Sequence, residues 1–402
     1  MGPLDSSTAA MDRVRAPSDQ SALTKSAIFL VLSLAVLRWY LDVPAVPFLM
    51  LIAFLSVIHH LLARMEDLPA PIRSRYCALL IVSISVLWGL RRLLPIASSN
   101  TFNFTTVIGF SYLFLKLISY ILRRQADDHC LQSWTGFLSY CLFAPTWVAG
   151  PIMEPQEFED QLSQRLSFAQ HADLALQGAK RIIIGLFKVR VLARLLSSYT
   201  FYAIAPRELL ACKWPVWLVV TDVTALHLYL NFSGYSDVAI GCSQCLGITV
   251  LENFSYPFAA RNLEAFWKRW HISFARWLKT YLFLPINKAL LNHQRLSLHP
   301  VVVAEISIFI TFTLMGIWHG FETHYVIYGM WQGAGLLTVI AWRQGLKTLG
   351  VHEAYMRNPI IHLVAIFLTF HYFALSLLIF FADNPEKTWT LLHVARRVVG
   401  FV

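Results

Sequence analysis

The chain has 402 residues, of which 57% are hydrophobic and only 14% charged, and it carries a formal charge of +10. A soluble domain holds about 45–50% apolar and about 25% charged residues, so the charges here are too few to cover a globular surface of this size. A soluble enzyme, a disordered chain and a secreted disulfide scaffold are excluded. The basic excess fits anionic headgroups and the positive-inside bias of membrane proteins, and no nucleic-acid partner is needed to account for it.

The first 24 residues are rich in Ser, Ala, Asp and Pro and are expected to form a mobile tail, with a single membrane domain over 25–402. Apolar runs long enough to cross about 30 Å of hydrocarbon follow. They are Ala27–Leu41, Ala45–Leu62, Ala78–Leu90 and Thr105–Leu122, then Trp214–Leu230, Val301–Trp318, His324–Trp342 and Ile360–Phe381. With shorter pieces counted, some eight to eleven spans are expected. Basic residues sit between the runs (Arg91 and Arg92, Arg123 and Arg124, Lys188 and Arg190) without the clean alternation of regular hairpins. Interrupted segments such as Phe137–Pro151 and Tyr281–Ile286 read as re-entrant pieces, which survive only where protein or a wet cavity satisfies their backbone. The fold class expected is therefore all-α and polytopic, with helices around a polar interior.

Asn231-Phe-Ser-Gly-Tyr-Ser-Asp237 follows the run that ends at Leu230. It reads either as a helix break at Gly234 whose polar groups satisfy one another, or as a substrate path lined by Asn231, Ser233, Tyr235, Ser236 and Asp237. Cys242-Ser-Gln-Cys245 is a lone pair without a second pair or a histidine at zinc spacing, so no metal site is expected.

Arg261–Tyr281 reads as an amphipathic helix. At about 100° per residue, Trp267, Trp270, His271, Phe274, Trp277 and Tyr281 share one face, and Lys268, Arg269, Arg276 and Lys279 lie opposite. The plain reading is an interfacial anchor with a cationic face. His271 stands where an apolar residue would pack better, and is either a satisfied core histidine or a functional one. His319 closes the span Val301–Trp318, between Gly316 and Gly320. An ionisable group at such depth marks function by default; the alternative is a histidine capping a helix end. A neutral imidazole can take a proton from a hydroxyl as its oxygen attacks a carbonyl. No nucleophile elbow, P-loop, dinucleotide fingerprint or HExxH motif accompanies the pair. A transporter or flippase with polar pathway residues is the competing reading.

Four blocks then stand in order: FAPTWVAGPIMEPQEF (143–158), YLNFSGYSDVAIG (229–241), ENFSYPFAARNLEAFWKRWHISFARWLKTYLF (252–283) and MGIWHGFETHYVIYGMWQG (315–333). Together they resemble the membrane-bound O-acyltransferase family, in its bacterial branch that moves acetyl or D-alanyl groups. The resemblance implies a funnel of helices around a central tunnel, in a bacterial inner membrane, with His319 and His271 as the catalytic pair and Trp267, Trp270 and Trp318 along the substrate path. It implies no bound cofactor, and an acyl donor that is a thioester on the phosphopantetheine of an acyl carrier protein. The acceptor is a hydroxyl of a cell-surface glycan or polymer, with a periplasmic or extracellular protein as a further partner. The basic residues Lys268, Arg269, Arg276 and Lys279 would receive the acidic carrier or an anionic polymer. The chain departs from the family pattern at Asn231 (commonly Asp), at Lys279-Thr280 (commonly Arg-Asp), at Pro285–Lys288, and at Gln332, where a histidine is often found. These departures leave the acyl group open.

Overall fold

The computed structural model describes residues 20–40, 45–93, 109–126, 131–293, 299–351 and 358–399. Most of the expected tail, 1–19, lies outside the described residues. Helix α1 (Gln20–Ala35) already begins four residues before the expected end of that tail. It is followed by α2 (Ala45–Met65), α3 (Ala70–Leu93), α4 (Phe110–Gln125), α5 (Trp134–Cys141), α6 (Pro155–Ser163) and α7 (Phe168–Phe187). Next come the short α8 (Arg194–Leu196) and α9 (Pro206–Ala211), the long α10 (Trp214–Cys245), and α11 (Leu263–Trp267), α12 (Ile272–Leu278) and α13 (Leu284–Leu291). The described chain closes with α14 (Pro300–His319), α15 (Thr323–Thr348), α16 (Pro359–Phe380) and α17 (Pro385–Val399).

Six of the described helical segments are long and apolar enough to cross a membrane: Gln20–Arg38, Phe48–Met65, Ala70–Leu90, Pro215–Cys245, Pro300–His319 and Pro359–Phe380. The protein is an integral, multi-pass, all-α membrane protein. Two expected spans fall outside these six. Within Thr105–Leu122, residues 105–108 lie outside the described residues, and α4 is buried along nearly its whole length by other protein rather than by lipid. Helix α15 is 26 residues long, but Gln332, Arg343, Gln344 and Lys347 dilute its apolar character.

Backbone polarity is satisfied locally, as a membrane demands. Ser133 caps α5 by accepting from the Gly136 N–H at 3.1 Å. Helix α6 opens with Pro155 and a reciprocal box between Glu154 and Glu157, and α7 opens with one between Ser167 and Gln170. The segment between α5 and α6 is largely buried, with Val148 exposed. Lys116 of α4 holds it by donating to the Tyr140 carbonyl at 3.1 Å and to Thr146 Oγ1 at 3.2 Å.

The expected helix break at Gly234 is absent: α10 runs uninterrupted through Asn231–Asp237. Gly234 instead admits a neighbour. A Cβ on Gly185 would lie 2.5 Å from the Gly234 carbonyl oxygen, and one on Gly178 2.5 Å from that of Gly241. Two glycines seven apart on α7 thus meet two glycines seven apart on α10 in reverse order. The helices are antiparallel and pack backbone to backbone, as small residues allow where no hydrophobic effect drives helices together. Gly316 and Gly329 do the same for α14 and α15.

Arg261–Tyr281 is likewise not one helix. It breaks into α11, a turn, α12 and a π-helical turn over Lys279–Phe283. The break sits at Trp270–His271, where Trp270 forms an antiparallel bridge with Phe254 and His271 adopts a left-handed conformation (φ 45°). Ser255 N–H donates to the Arg269 carbonyl at 3.0 Å, and Ile272 N–H to the Asn253 carbonyl at 2.9 Å. These long-range bonds replace the helical ladder.

Candidate active site

His271 is held in a conformation unusual for a residue with a Cβ, a local cost that persists only where the surroundings over-determine it. Asn253, fully buried, is what determines it. Its Oδ1 lies 3.4 Å from His271 Nδ1, 3.3 Å from the Ser273 backbone N and 2.7 Å from Ser273 Oγ. Its Nδ2 donates to Ser236 Oγ at 3.1 Å. A backbone N–H can only donate, so the Asn253 atom facing Ser273 must be the oxygen. That oxygen then accepts from His271, which places the proton on Nδ1 and leaves the lone pair on Nε2. Tyr112 O–H faces Nε2 at 3.5 Å, on the side where this tautomer can accept from it.

His319 is the last residue of α14, with Gly320 as the cap. It is half-buried, and its ring lies 4.8 Å from Trp318, 5.0 Å from Phe380 and 6.2 Å from both Tyr325 and Tyr328, measured between centroids. The two histidines are within electrostatic reach of one another and are linked through aromatic rings. Phe274 stands 5.0 Å from His271 and 4.6 Å from Trp318, and Tyr112 lies 6.4 Å from His271 and 6.1 Å from Trp318. Phe232 closes on His271 edge-on at 4.7 Å. Residues from α4, α10, α12 and α14 therefore enclose the pair in a wall of rings.

Two cavities flank this wall. A polar one of about 360 Å³ is lined by Arg181, Lys188, Ser233, Asp237, Glu252 and Asn253, with Ser236, Tyr229 and Tyr256 among its further residues. Asp237 accepts from Arg181 at 2.9 Å and from Lys188 at 2.6 Å, and Arg181 also pairs with Glu252. Ser233 Oγ is buried there with no partner among the described residues. The second cavity, about 680 Å³, is bounded by α3, α4, α12, the π turn and α14, and reaches Phe274 and Trp318.

Some of the expected site residues lie at the cavities. Ser233, Ser236 and Asp237 line the polar cavity, and Trp318 lines the apolar one. Others do not. Asn231 lines neither cavity and Tyr235 is 51% exposed on the outer side of α10. Trp267 packs on Phe312 (5.0 Å), and Trp270 on Phe254 and Phe373 (5.1 and 4.8 Å), so both are core. The expected cationic face dissolves with the helix that would have carried it. Arg276 turns to Glu157 in a two-pronged pair (2.6 and 2.8 Å), Lys268 pairs with Glu264, Arg269 is half-exposed and Lys279 is exposed on the π turn. Gln332 is buried and donates to Ser376 Oγ at 2.7 Å. Asn253 and Tyr112 were not anticipated. Neither residue is marked by a local pattern in the sequence.

Comparison with known proteins follows the same lines. The profile of the membrane-bound O-acyltransferase family matches residues 39–382. The chain is 30% identical over 298 residues to a probable alginate O-acetylase AlgI of Pseudomonas putida, covering 73% of this chain and 54% of that protein. It is 29% identical over 288 residues to the teichoic acid D-alanyltransferase of Bacillus subtilis, covering 69% of each. It is 29% identical over 334 residues to a peptidoglycan O-acetyltransferase of Helicobacter pylori, 75% of this chain and 58% of that one. The chain spans about half the length of the alginate O-acetylases it matches. With a match across most of its length and both histidines within the matched region, the chain belongs to the membrane-bound O-acyltransferase family.

Proposed function

We propose that the protein moves an acyl group from a thioester donor to a hydroxyl of a cell-surface glycan or polymer, within a bacterial inner membrane, with His319 as general base and His271 as a positioning residue. The observation that carries this is the pair of neighbouring histidines linked through Phe274, Tyr112 and Trp318, near a polar and an apolar cavity. In the reaction, His319 removes the proton of the acceptor hydroxyl as its oxygen bonds to the thioester carbonyl carbon. The tetrahedral intermediate then expels the thiolate as the C–S bond breaks. The imidazolium returns its proton to the sulfur, leaving an ester and a free thiol. A wall of rings excludes bulk water, which would otherwise hydrolyse the thioester.

The division of labour rests on how His271 is held. Asn253 faces its Nδ1 and Tyr112 its Nε2, which suits a residue that aligns Tyr112, and the proton transfer is assigned to His319. The polar cavity, with its ion pairs, hydroxyls and tyrosines, suits a polyhydroxylated acceptor. The thioester is proposed to arrive on the phosphopantetheine of an acyl carrier protein, with exposed basic side chains such as Lys268 and Lys279 as contacts, and an extracytoplasmic protein as a further partner in modifying the polymer. The names of the relatives, two O-acetylating and one D-alanylating, support the reaction class. The test is the ester content of envelope polysaccharide, by mass spectrometry, in cells expressing wild type, His271→Ala or His319→Ala. Loss in His319→Ala is expected; unchanged ester would refute the reading.

A further inference from the structure

The comparisons leave the acyl group open between a neutral acetyl and a positively charged D-alanyl, and the chemistry of the apolar cavity separates them. We infer that this cavity receives the acyl group and that the group is a neutral alkanoyl, with room for chains longer than acetyl, rather than an aminoacyl. The inference rests on the O-acyltransferase reading.

Three observations carry it. First, position: Phe274 and Trp318 line the cavity, and these are the rings that touch His271 and His319 respectively. Neither histidine lines the cavity itself, so these two rings connect it to the pair, and an acyl group whose carbonyl carbon is held at the histidines would lay its alkyl substituent past them into this space. Second, composition: apart from Ser85, the lining is aliphatic and aromatic, from Ile81, Val82 and Val86 of α3 through Leu115 and Ile118 of α4 to Leu314 and Ile317 of α14. No carboxylate lines it among the described residues. An ammonium taken from water into such a space without a counter-charge is strongly disfavoured. The carboxylate behind the Tyr281 end of the cavity, Glu154, is already engaged: Tyr281 donates to it, and Arg123 lies 3.3 Å away.

Third, one polar atom of the wall is an unpaired donor. Trp318 Nε1 is buried with no hydrogen-bond partner among the described residues. Trp277 Nε1 is spent on Ser119 Oγ at 2.9 Å, and the Ser85 hydroxyl on the Ile81 carbonyl at 2.7 Å. An orphan N–H beside the reacting centre matches a carbonyl oxygen, above all one gaining negative charge, and offers nothing to an ammonium. The volume, about 680 Å³, lies within the range of small-molecule sites, roughly 300–1,000 Å³, and exceeds the needs of an acetyl methyl.

The test separates binding from turnover. Full-length Ser85→Cys protein in membranes is alkylated with N-ethylmaleimide, and modification of the peptide carrying position 85 is followed by mass spectrometry with acetyl-, butyryl-, octanoyl- or D-alanyl-pantetheine present. Protection by the three neutral thioesters and not by D-alanyl-pantetheine is the expected result. Equal protection by D-alanyl-pantetheine would overturn the inference. So would the absence of protection by any of them, as for a cavity filled only by membrane lipid. In the same membranes, transfer of labelled acyl group to polymer reads the reaction itself. Selective protection without transfer would sink the O-acyltransferase reading while leaving the cavity's selectivity standing. A second variant, Ser85→Trp, narrows the space: octanoyl transfer should fall on the order of tenfold or more while acetyl transfer holds. A parallel fall in both would count against the cavity as the acyl site.

Discussion

At the residue scale, the account turns on Asn253. Its oxygen accepts from His271 Nδ1 and from Ser273, and its nitrogen donates to Ser236, so one amide fixes a tautomer, a backbone bend and the wall of the polar cavity. Asn253→Leu should lower kcat by at least about tenfold, in line with the loss of oriented proton transfer. Asn253→Asp keeps an acceptor for Nδ1–H and should retain more activity than Asn253→Leu at equal expression; equal loss in both would indicate a purely structural role. Tyr112→Phe removes the donor to Nε2 without altering ring packing. It should reduce kcat with little change in folded yield, and full activity in that variant would break the proposed link from His271 to the substrate. The histidines themselves were legible because each stands against its surroundings: an imidazole in an aromatic stripe and another ending a span. Asn253 was not, because its meaning comes from a bridge between Phe254 and Trp270 that no local pattern encodes.

At the element scale, the two misread segments share a cause. In Arg261–Tyr281 the 3.6-residue period is real but short-range, and the break at His271 is imposed by pairing with residues 253–255, which lie outside the segment. In Asn231–Asp237 the glycine that suggested a break instead serves a helix crossing. The spacing of Gly178 and Gly185, mirrored by Gly234 and Gly241, was in the sequence as a sign of that crossing. The consequence is measurable. Gly185→Ala forces a methyl against the Gly234 backbone oxygen, which has nowhere to go, and should destabilise the fold by about 1–3 kcal/mol. Gly345, an exposed helical glycine with nothing within 4 Å of a Cβ, provides the contrast. Gly345→Ala should be neutral or stabilising by up to about 1 kcal/mol. Thermal unfolding in detergent compares the two, and equal shifts would argue against backbone contact between α7 and α10.

At the scale of the whole molecule, the two histidines sit among aromatic rings near two cavities of opposite character, one polar and one apolar. The all-α membrane fold and the two histidines were readable from hydropathy runs and from depth. The division into a polar and an apolar cavity was not, since it depends on which helices face each other across the site. That division predicts a labelling asymmetry: Ser233→Cys should react with a charged, water-soluble thiosulfonate, and Ile118→Cys only with a lipid-soluble maleimide. Similar reactivity of both with the charged reagent would mean that water fills both spaces.

The most direct test of the central claim is single-site transfer in a reconstituted system. Proteoliposomes with matched amounts of wild-type or His319→Ala protein are given a labelled acyl thioester and isolated envelope polymer, and base-labile label on the polymer is counted over time. The account predicts a fall of about 10²–10⁴-fold in His319→Ala, the range expected for loss of a positioned general base. Transfer at the wild-type rate would contradict it.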